Sequence, residues 1–281
     1  MSHFIHHKKR SSGFSLVELV MVITISGIML VVIAPLLGRP FSIFNDMQTR
    51  ASLVDKAHAA LAAVTRQVRQ AVPNSVRVNG SALELMQINF AGRYPLVDVA
   101  SEIDGLTPRQ LDNNFSIFGD VPSLTGQRLV VNPTSTVLLY AAAADSLNQI
   151  MTPSTSTISV VDNGNQDRIT ILPAFRFDPG GNGSPARRMF ATSGPLSFIC
   201  DSGNLILVEN YSATVNQPTN INSAPLSSAP QSLVSESISS CQFRFSPGTA
   251  QRSALLTMEL VLTENGESIR LVEQVHVENI P

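Results

Sequence analysis

A predominantly apolar run extends from Phe14 to Leu37 and contains one charged residue, Glu18. A run of this length is sufficient for a helix that crosses a membrane. If the helix begins at Phe14, Glu18 lies about 6 Å along its axis, near the membrane surface, where an acid costs little free energy. The pattern therefore predicts a transmembrane helix over residues 14–37. Glu18 is then either an interfacial carboxylate that reaches water or a residue with a specific role.

A second helical pattern follows Gly38, Arg39 and Pro40, which interrupt the apolar run. Between residues 46 and 72, apolar side chains recur at every third or fourth position, which is typical of a helix lying against a core. These side chains are Leu53, Ala57, Leu61, Val64, Val68 and Val72. We predict an amphipathic helix within residues 38–73, ended by Pro73 and Asn74.

The remainder of the chain, residues 74–281, consists of short apolar segments separated by Pro, Gly, Asn and Ser. Segments of this length and composition are typical of β-strands. The predicted strands are residues 75–79, 83–90, 128–132, 136–141, 157–162, 168–172, 175–177, 196–199 and 205–210. Together with the helices they predict an α+β fold whose head, residues 74–281, is built on an antiparallel sheet.

One hairpin near the carboxy terminus is predicted in detail, because Asn265 and Gly266 suit a two-residue type I′ turn. Counting outward from this turn places apolar residues opposite one another on one face. The pairs are Leu262 with Ile269, Leu260 with Leu271, and Leu256 with Val275. The mismatch on that face is Glu273, which lies opposite Met258.

Two segments contain too few large apolar residues to form a core of their own, residues 141–157 and 212–232. We expect them to be solvated connectors on the surface. The alternative is that they form contact surfaces for a partner or a receptor.

The first 13 residues contain Lys8, Lys9 and Arg10 and no acid. Basic residues that flank a first span are held on the cytoplasmic side, so the head is expected on the opposite side of the membrane. A secretory signal has a small-residue cleavage site after its apolar segment, and no Ala-x-Ala pattern follows this run. If the leader, residues 1–13, is removed, it is cut before the apolar run.

The segment GFSLVELVMVITISGIMLVVIAP closely resembles the type IV prepilin signal. The resemblance implies that a prepilin peptidase cleaves after Gly13 and methylates the new amino terminus at Phe14. It also implies that Glu18 is an assembly residue, whose charge meets the positive amino terminus of a neighbouring subunit. Opposite unit charges about 4 Å apart attract by about 4 kcal/mol at an effective dielectric constant of about 20. Pro35 matches the proline near the far end of the pilin span.

Pro35 cannot donate a backbone hydrogen bond to the carbonyl of Val31, so we expect the helix to bend or loosen there. A loosened segment would let the helix adjust as it packs into a filament. The alternative is that the proline is simply tolerated, as prolines are in many membrane helices.

The resemblance implies a pilin-like fold, in which one long amino-terminal helix packs its second half on a sheet. It further implies a single-pass protein of the bacterial inner membrane with its head in the periplasm, later incorporated into a surface pilus or its initiation complex. The implied partners are membrane lipid before assembly, the prepilin peptidase, the inner-membrane pilus assembly platform, and other major and minor pilins.

Size favours a minor subunit, because a head of this length is larger than that of a usual main filament subunit. The carboxy-terminal residues 241–281 also resemble large minor pilins of the mannose-sensitive haemagglutinin (MSHA) type, though less specifically. The alternatives are a minor pseudopilin of a type II secretion system, a pilus-borne adhesin, and a binding domain that keeps its leader as a membrane anchor.

The chain has two cysteines, Cys200 and Cys241. An intramolecular bridge between them would close a segment of about 40 residues and stabilise the fold by about 4 kcal/mol. The periplasm oxidises such pairs, and disulfide-tied carboxy-terminal segments are common in the family that the signal resembles. The alternative is two buried free thiols.

Composition and motifs favour a structural role. Removing the leader's three cations leaves 16 basic residues against 21 acids, a net side-chain charge of −5, which does not favour nucleic acid as a partner. The two histidines beyond the leader, His58 and His276, are isolated in the sequence and indicate neither a metal site nor a catalytic triad. We expect no enzymatic activity and no cofactor.

We predict that the mature protein begins at Phe14 with a methylated amine. The reason is the Gly13–Phe14 junction between a basic leader and an apolar helix. Mass spectrometry of the amino-terminal peptide from a peptidase-proficient cell tests this. Recovery of intact residues 1–13 would contradict it.

Overall fold

A computed structural model describes residues 13–95, 104–146, 149–164, 166–177, 183–248 and 252–278, except for the side chains of residues 35–42. The leader residues 1–12 lie outside this part. The chain divides into two units, Met1–Ala51 and Ser52–Pro281.

Helix α1 spans Leu16–Arg69 and continues through Pro35 and through Gly38, Arg39 and Pro40, where the apolar pattern is interrupted. It ends earlier than predicted, before Val72. The backbone of residues 70–72 bonds to the following strand segment instead: the amide of Val72 donates to Met86 at 2.8 Å, and that of Ile88 donates to Gln70 at 2.8 Å. Extended pairing therefore replaces the last predicted helical turn.

In the second unit, α1 buries the predicted apolar stripe. Leu53 and Ala57 are fully buried, and the later members of the stripe, through Val68, are at most 2% exposed. The stripe shares one hydrophobic core with side chains from two sheets, including Leu85, Phe198 and Leu260. Burying each large aliphatic side chain contributes about 1.5–3 kcal/mol, so this contact is a main source of the head's stability.

The head contains four antiparallel sheets in its described part, where the sequence predicted a single antiparallel sheet. The strands are β1 (Arg77–Asn79), β2 (Ala82–Met86), β3 (Phe90–Arg93), β4 (Asp112–Phe118), β5 (Arg128–Val131), β6 (Thr157–Val161), β7 (Gln166–Phe175), β8 (Arg188–Thr192), β9 (Pro195–Asp201), β10 (Asn204–Val208), β11 (Gln231–Ser235), β12 (Ile238–Ser246), β13 (Ala254–Glu264) and β14 (Glu267–Val277). The five-stranded sheet has the order β1-β2-β9-β10-β11, and the carboxy-terminal sheet has the order β12-β13-β14. Two further three-stranded sheets have the orders β3-β8-β5 and β4-β7-β6. The predicted α+β class is confirmed.

The β13–β14 hairpin has the predicted register. All three predicted apolar pairs are present, and Met258 lies opposite Glu273. Asn265 and Gly266 have φ values of 51° and 81°, as a type I′ turn requires. The Glu273 mismatch has a structural explanation, because its carboxylate accepts a hydrogen bond from the hydroxyl of Thr65 on α1 at 2.8 Å.

One predicted strand is wrong: residues 136–141 belong to helix α2, Thr136–Ala143. A continuous apolar segment is compatible with either structure. Here the buried residues are Leu139, Tyr140, Ala142 and Ala143, which is helical spacing, whereas Val137 is 73% exposed. The four alanines that follow Tyr140 also favour helix.

Several strand boundaries also differ from the prediction. The predicted strand 83–90 is divided between β2, which is buried throughout and pairs with β9, and the start of β3, which pairs with β8. Of the predicted strand 175–177, only Phe175 belongs to a strand, as the last residue of β7. Strands β4, β8, β11 and β12 were not among the predicted segments.

The segments expected to be solvated connectors lie largely at the surface in their described parts, but each also contributes buried apolar residues to a core. In residues 212–232, Ile221 and Leu226 are buried in a cluster with Ile199 and Val208 of the five-stranded sheet. In residues 141–157, Met151 forms a bridge with Val130 of β5. A few apolar residues suffice because the sheets supply the rest of each core.

The disulfide Cys200–Cys241 is present, with an S–S distance of 2.00 Å. Cys200 lies in β9 and Cys241 in β12, so the bond joins the five-stranded sheet to the carboxy-terminal sheet. The turn between β1 and β2 also connects these strands, because Ser81 accepts a hydrogen bond from the Cys200 amide and Gly80 accepts one from the Phe243 amide.

We predict that replacing both cysteines, Cys200→Ser with Cys241→Ser, lowers the free energy of unfolding by about 4 kcal/mol, because the unfolded chain regains the entropy of an open loop. The chain has no tryptophan, so far-UV circular dichroism during denaturant titration is the suitable measurement. Wild-type protein under reducing conditions should match the variant. Equal stability of the oxidised wild type and the variant would contradict the prediction.

Candidate functional site

The amino-terminal end of α1 is the candidate assembly site, and its first turn is capped by a side chain. Residues 13–15 are not helical, and the first helical hydrogen bond runs from the Leu19 amide to the Ser15 carbonyl at 3.1 Å. The Ser15 hydroxyl accepts a hydrogen bond from the Glu18 amide at 3.3 Å. Ser15 is therefore the N-cap of α1, with Glu18 at the third helical position.

Ser15 and Glu18 have the spacing of a capping box, Ser-x-x-Glu. From the sequence, Glu18 was expected to act in assembly, whereas Ser15 was not predicted as a functional residue, although the Ser-x-x-Glu pattern precedes an apolar run. An acid in the first turn also interacts favourably with the positive end of the helix dipole. Glu18 thus has a local role in starting the helix besides any role toward a partner.

The apolar segment Leu16–Ala34 is long and apolar enough to cross a membrane, with a mean hydropathy of 2.7 and none of its residues buried within the protein. Leu16 is 79% exposed and Val31 is 75% exposed. The hydroxyl of Thr24 is satisfied within the helix, since it donates to the carbonyls of Val20 and Met21 at 2.9 Å. The segment therefore presents an apolar surface that no described part of the chain covers.

The comparisons with known proteins bear on this same segment. Residues 8–34 match the family model described as the prokaryotic N-terminal methylation motif. The chain carries a prepilin-type signal. Neither the curated proteins nor the solved structures include a match to the chain.

Three of the predicted site residues belong to the prepilin-type signal and lie close together at the start of α1. Gly13 and Phe14 directly precede the helix, and Glu18 lies in its first turn. The backbone of Pro35 lies within α1, while its side chain is outside the described residues. Cys200 and Cys241 belong to the second unit, in the head. Among the described residues, no group of three or more His, Cys, Asp or Glu side chains is arranged to hold a metal.

The head contains a buried ion pair that the sequence analysis missed. Arg77 of β1 lies opposite Glu84 of β2, and Arg77 Nε is 2.6 Å from Glu84 Oε2. The side chain of Glu84 is fully buried and that of Arg77 is 13% exposed. The sequence contains an indication of this pair, because a turn at Gly80 brings the two opposite charges together on adjacent strands.

Two tyrosines complete the surroundings of this pair. The Tyr211 hydroxyl donates to Glu84 Oε1 at 3.0 Å and lies 2.6 Å from the Ser197 hydroxyl. The Arg77 guanidinium lies over the ring of Tyr140, 3.4 Å from its centroid. Burial raises the pKa of Glu84, and the hydrogen bond and charge of Arg77 oppose that rise. Burial also raises the pKa of Tyr211, which remains a hydroxyl donor.

Arg77 also attaches the segment after β10 to the sheet. Its two terminal nitrogens donate to the carbonyls of Val215 and Thr214, at 2.6 Å and 2.9 Å. One guanidinium therefore binds both the Glu84 carboxylate and the backbone of the segment between β10 and β11, residues 209–230, which we call the covering segment. This explains why residues with so few large apolar side chains are held in place.

A second, more exposed ion pair connects α1 to the carboxy-terminal part of the head. Lys56 Nζ lies 2.9 Å from Glu264 and 3.0 Å from Glu236. The hydrogen bond to Glu264, followed by that to Glu236, raises the pKa of Lys56. These contacts position the tip of the β13–β14 hairpin and the turn between β11 and β12 against the helix.

We predict that Arg77→Met destabilises the head by about 3–5 kcal/mol, because it leaves a buried carboxylate without its cation. Adding Glu84→Gln should recover much of this loss, since the remaining group is then neutral. Denaturant titrations of the wild type, both single variants and the double variant measure the coupling.

The defect of Arg77→Met should also depend on pH. The pKa of Glu84 is already raised in the folded protein. The contribution of Glu84 to the free energy of unfolding is therefore most favourable below its unfolded pKa and is lost as pH rises through its folded pKa. Without Arg77 the folded pKa rises further, so the defect should shrink as pH falls toward 4.5, the ordinary pKa of the carboxyl. Equal defects at neutral and acidic pH, or additive effects in the double variant, would contradict the buried-pair account.

Proposed function

We propose that the protein is a minor type IV pilin of the MSHA type, which acts in pilus assembly by docking through its amino-terminal helix. Its parts are a cleaved leader (residues 1–13), a membrane and filament-core segment (14–37), an amphipathic segment (38–73) and the head (74–281). Membrane lipid covers the apolar surface of the helix before assembly, and the helices of other pilins cover it afterwards.

The observation that carries the proposal is the prepilin-type signal joined to an apolar helical segment, Leu16–Ala34, none of whose residues is buried. Exposed apolar surface of this extent is unfavourable in water. Lipid satisfies it first, because the leader's basic residues hold the amino terminus in the cytoplasm and direct the head to the periplasm. The prepilin peptidase then removes the leader, and the inner-membrane assembly platform delivers the subunit to the filament.

Cleavage after Gly13 creates the ammonium group on which the docking role of Glu18 depends. In an assembled bundle, the carboxylate of an incoming subunit meets the amino terminus of a neighbour in a poorly hydrated environment. Losing one member of such a pair costs about 3–5 kcal/mol. Apolar helices alone can slide past one another, so this charge pair selects their register.

Pro35 contributes local flexibility to the same helix in this proposal. A proline within a helix removes one backbone hydrogen bond and crowds the preceding turn. This weakening lets the helix adjust its curvature as it moves from lipid into a bundle.

The head supports assignment as a minor subunit. Besides the two sheets that pack on α1, it carries the sheets β3-β8-β5 and β4-β7-β6, which have a hydrophobic core of their own. Such a bulky head is difficult to repeat at every position of a filament, which suits a subunit present in few copies. The assignment to the MSHA type is supported by the resemblance of residues 241–281.

We predict that Glu18→Ala inserts into the membrane and is cleaved at near-normal levels but does not support piliation. Two variants separate the charge from the cap. Glu18→Gln keeps a residue suited to the capping box while removing the charge, and it should fail as Glu18→Ala does. Ser15→Ala removes the cap and keeps the charge, and it should assemble with a helix less stable by about 1 kcal/mol.

The measurement is surface pilus number, beside membrane levels and amino-terminal processing, in a strain lacking the wild-type copy. Normal piliation with Glu18→Gln would show that the charge is dispensable. Loss of the protein itself would show that Glu18 serves stability rather than assembly. Normal pili combined with defective protein secretion would instead indicate a pseudopilin.

A further inference from the structure

The β4-β7-β6 sheet contains a wide bulge in its central strand. The two pairs that flank the bulge are Asp112 of β4 with Phe175 of β7, and Asn114 with Thr170. Between these pairs β4 advances by two residues and β7 by five, so residues 171–174 have no partner in β4. A bulge interrupts strand pairing and redirects side chains, and bulges are common beside functional sites. Here the bulge separates β7 from the start of β4.

A groove with mainly apolar walls lies beside this bulge. Its volume is about 390 Å³, within the usual range for sites that bind small molecules. The bulge supplies one part of the lining, and the residues before β4 and before β6 supply the others. The apolar lining residues are Leu111, Pro153, Pro173, Ala174 and Phe175. Leu111 is 66% exposed, so the groove offers apolar surface to a ligand.

The groove carries a positive charge on Arg176, which directly follows β7. The Arg176 side chain is exposed, and within the described part of the chain it forms neither a hydrogen bond nor an ion pair. A guanidinium binds a carboxylate through two parallel charge-assisted hydrogen bonds. An anion with an apolar body therefore complements both the charge and the walls of the groove.

The acid closest in sequence to the groove lining, Asp112, is engaged elsewhere. Its carboxylate accepts hydrogen bonds from the backbone amides of Thr107 and Asn114, at 3.2 Å and 3.1 Å. Burial raises the pKa of Asp112, and the charge of Asp104 adds to that rise. The Arg176 guanidinium is thus left without a counter-charge among the described residues.

Ser156 supplies a second donor. This half-buried residue lines the groove, and its hydroxyl oxygen is buried without a hydrogen-bond partner in the described part of the chain. A serine hydroxyl changes direction by rotation about a single side-chain torsion. A carboxylate in the groove would give this hydroxyl an acceptor.

We propose that this groove binds a small apolar carboxylate, with its apolar part against Leu111 and Pro173 and its carboxylate on Arg176. The apolar walls select an aromatic or aliphatic body, the unpaired guanidinium selects a negative charge, and the volume limits the size. The carboxy-terminal residue of a peptide offers the same chemistry, but the small volume favours a free acid. The inference does not depend on the pilin assignment, since it rests on the head alone.

The test uses the full-length protein in a phosphocholine detergent and measures binding by saturation-transfer difference NMR, after subtraction of the signal from protein-free micelles. The main probe is phenylacetate. Phenylacetamide removes its charge, phenethylamine reverses the charge, and acetate removes the apolar body. Phenylacetate should bind with a Kd of about 1 mM, and each comparison probe should bind at least about tenfold more weakly.

Two variants locate the binding. Arg176→Gln removes the cation and Leu111→Ser removes an exposed apolar wall, and each should weaken phenylacetate binding at least about tenfold. Arg176→Gln should leave the weak binding of phenylacetamide unchanged, because the amide makes no ion pair. The matched controls are Arg66→Gln and Leu233→Ser, at exposed residues outside the groove, and both should bind like the wild type. Far-UV circular dichroism confirms that each variant is folded.

Three results would overturn the inference. The first is no binding of phenylacetate by the folded wild-type protein, including the case in which only an alanine-rich peptide with a carboxy-terminal phenylalanine binds. The second is equal binding of phenylacetate and phenylacetamide, which would show that the charge is not recognised. The third is phenylacetate binding that Arg176→Gln and Leu111→Ser leave unchanged, which would place the site elsewhere.

Discussion

Burial of one stripe of α1, from Leu53 to Val68, is the interaction on which the rest of the head depends. The stripe shares one core with side chains of the five-stranded sheet and of the carboxy-terminal sheet, so both sheets bury apolar residues against the same helix. Polar contacts with the helix then help to orient the sheets. Thr65 donates a hydrogen bond to Glu273, and Lys56 forms ion pairs with Glu236 and Glu264. These contacts contribute position more than energy, because exposed ion pairs are worth little.

The same helix contains two regions that require different environments. None of its first 19 residues, Leu16–Ala34, is buried, whereas the residues from Leu53 onward have an apolar side and a polar side. The change in pattern along one helix separates the tasks: the first region is suited to lipid or to the helices of other subunits, and the second organises the head. The prepilin-type signal, residues 8–34, begins before the helix and covers the whole of the first region but none of the second.

How far the sequence predicts this structure depends on how local the deciding interactions are. The helix stripe and the β13–β14 hairpin were predictable because periodicity and turn chemistry at Asn265 and Gly266 determine them within a few residues. The region 136–141 was not, because an apolar run suits helix and strand alike and the surrounding core decides between them. The division into four sheets depends on pairings such as β2 with β9, which are distant in sequence.

At the candidate assembly site, the prepilin-type signal was recognisable from the sequence, and Ser15 could have been found by its spacing from Glu18. The Arg77–Glu84 pair needed the hairpin register, and its contact with Tyr211 needed the tertiary fold.

The Cys200–Cys241 bond has a mechanical consequence if the chain is pulled through its amino-terminal helix. The bond spans a sequence separation of 41 residues, which would extend to about 140 Å if pulled straight. Because the bond joins β9 directly to β12, tension that reaches the head cannot draw out this length of chain unless the covalent link breaks. The segment after β10, residues 209–230, lies inside this closed loop, so tension applied through the helix does not pass along it.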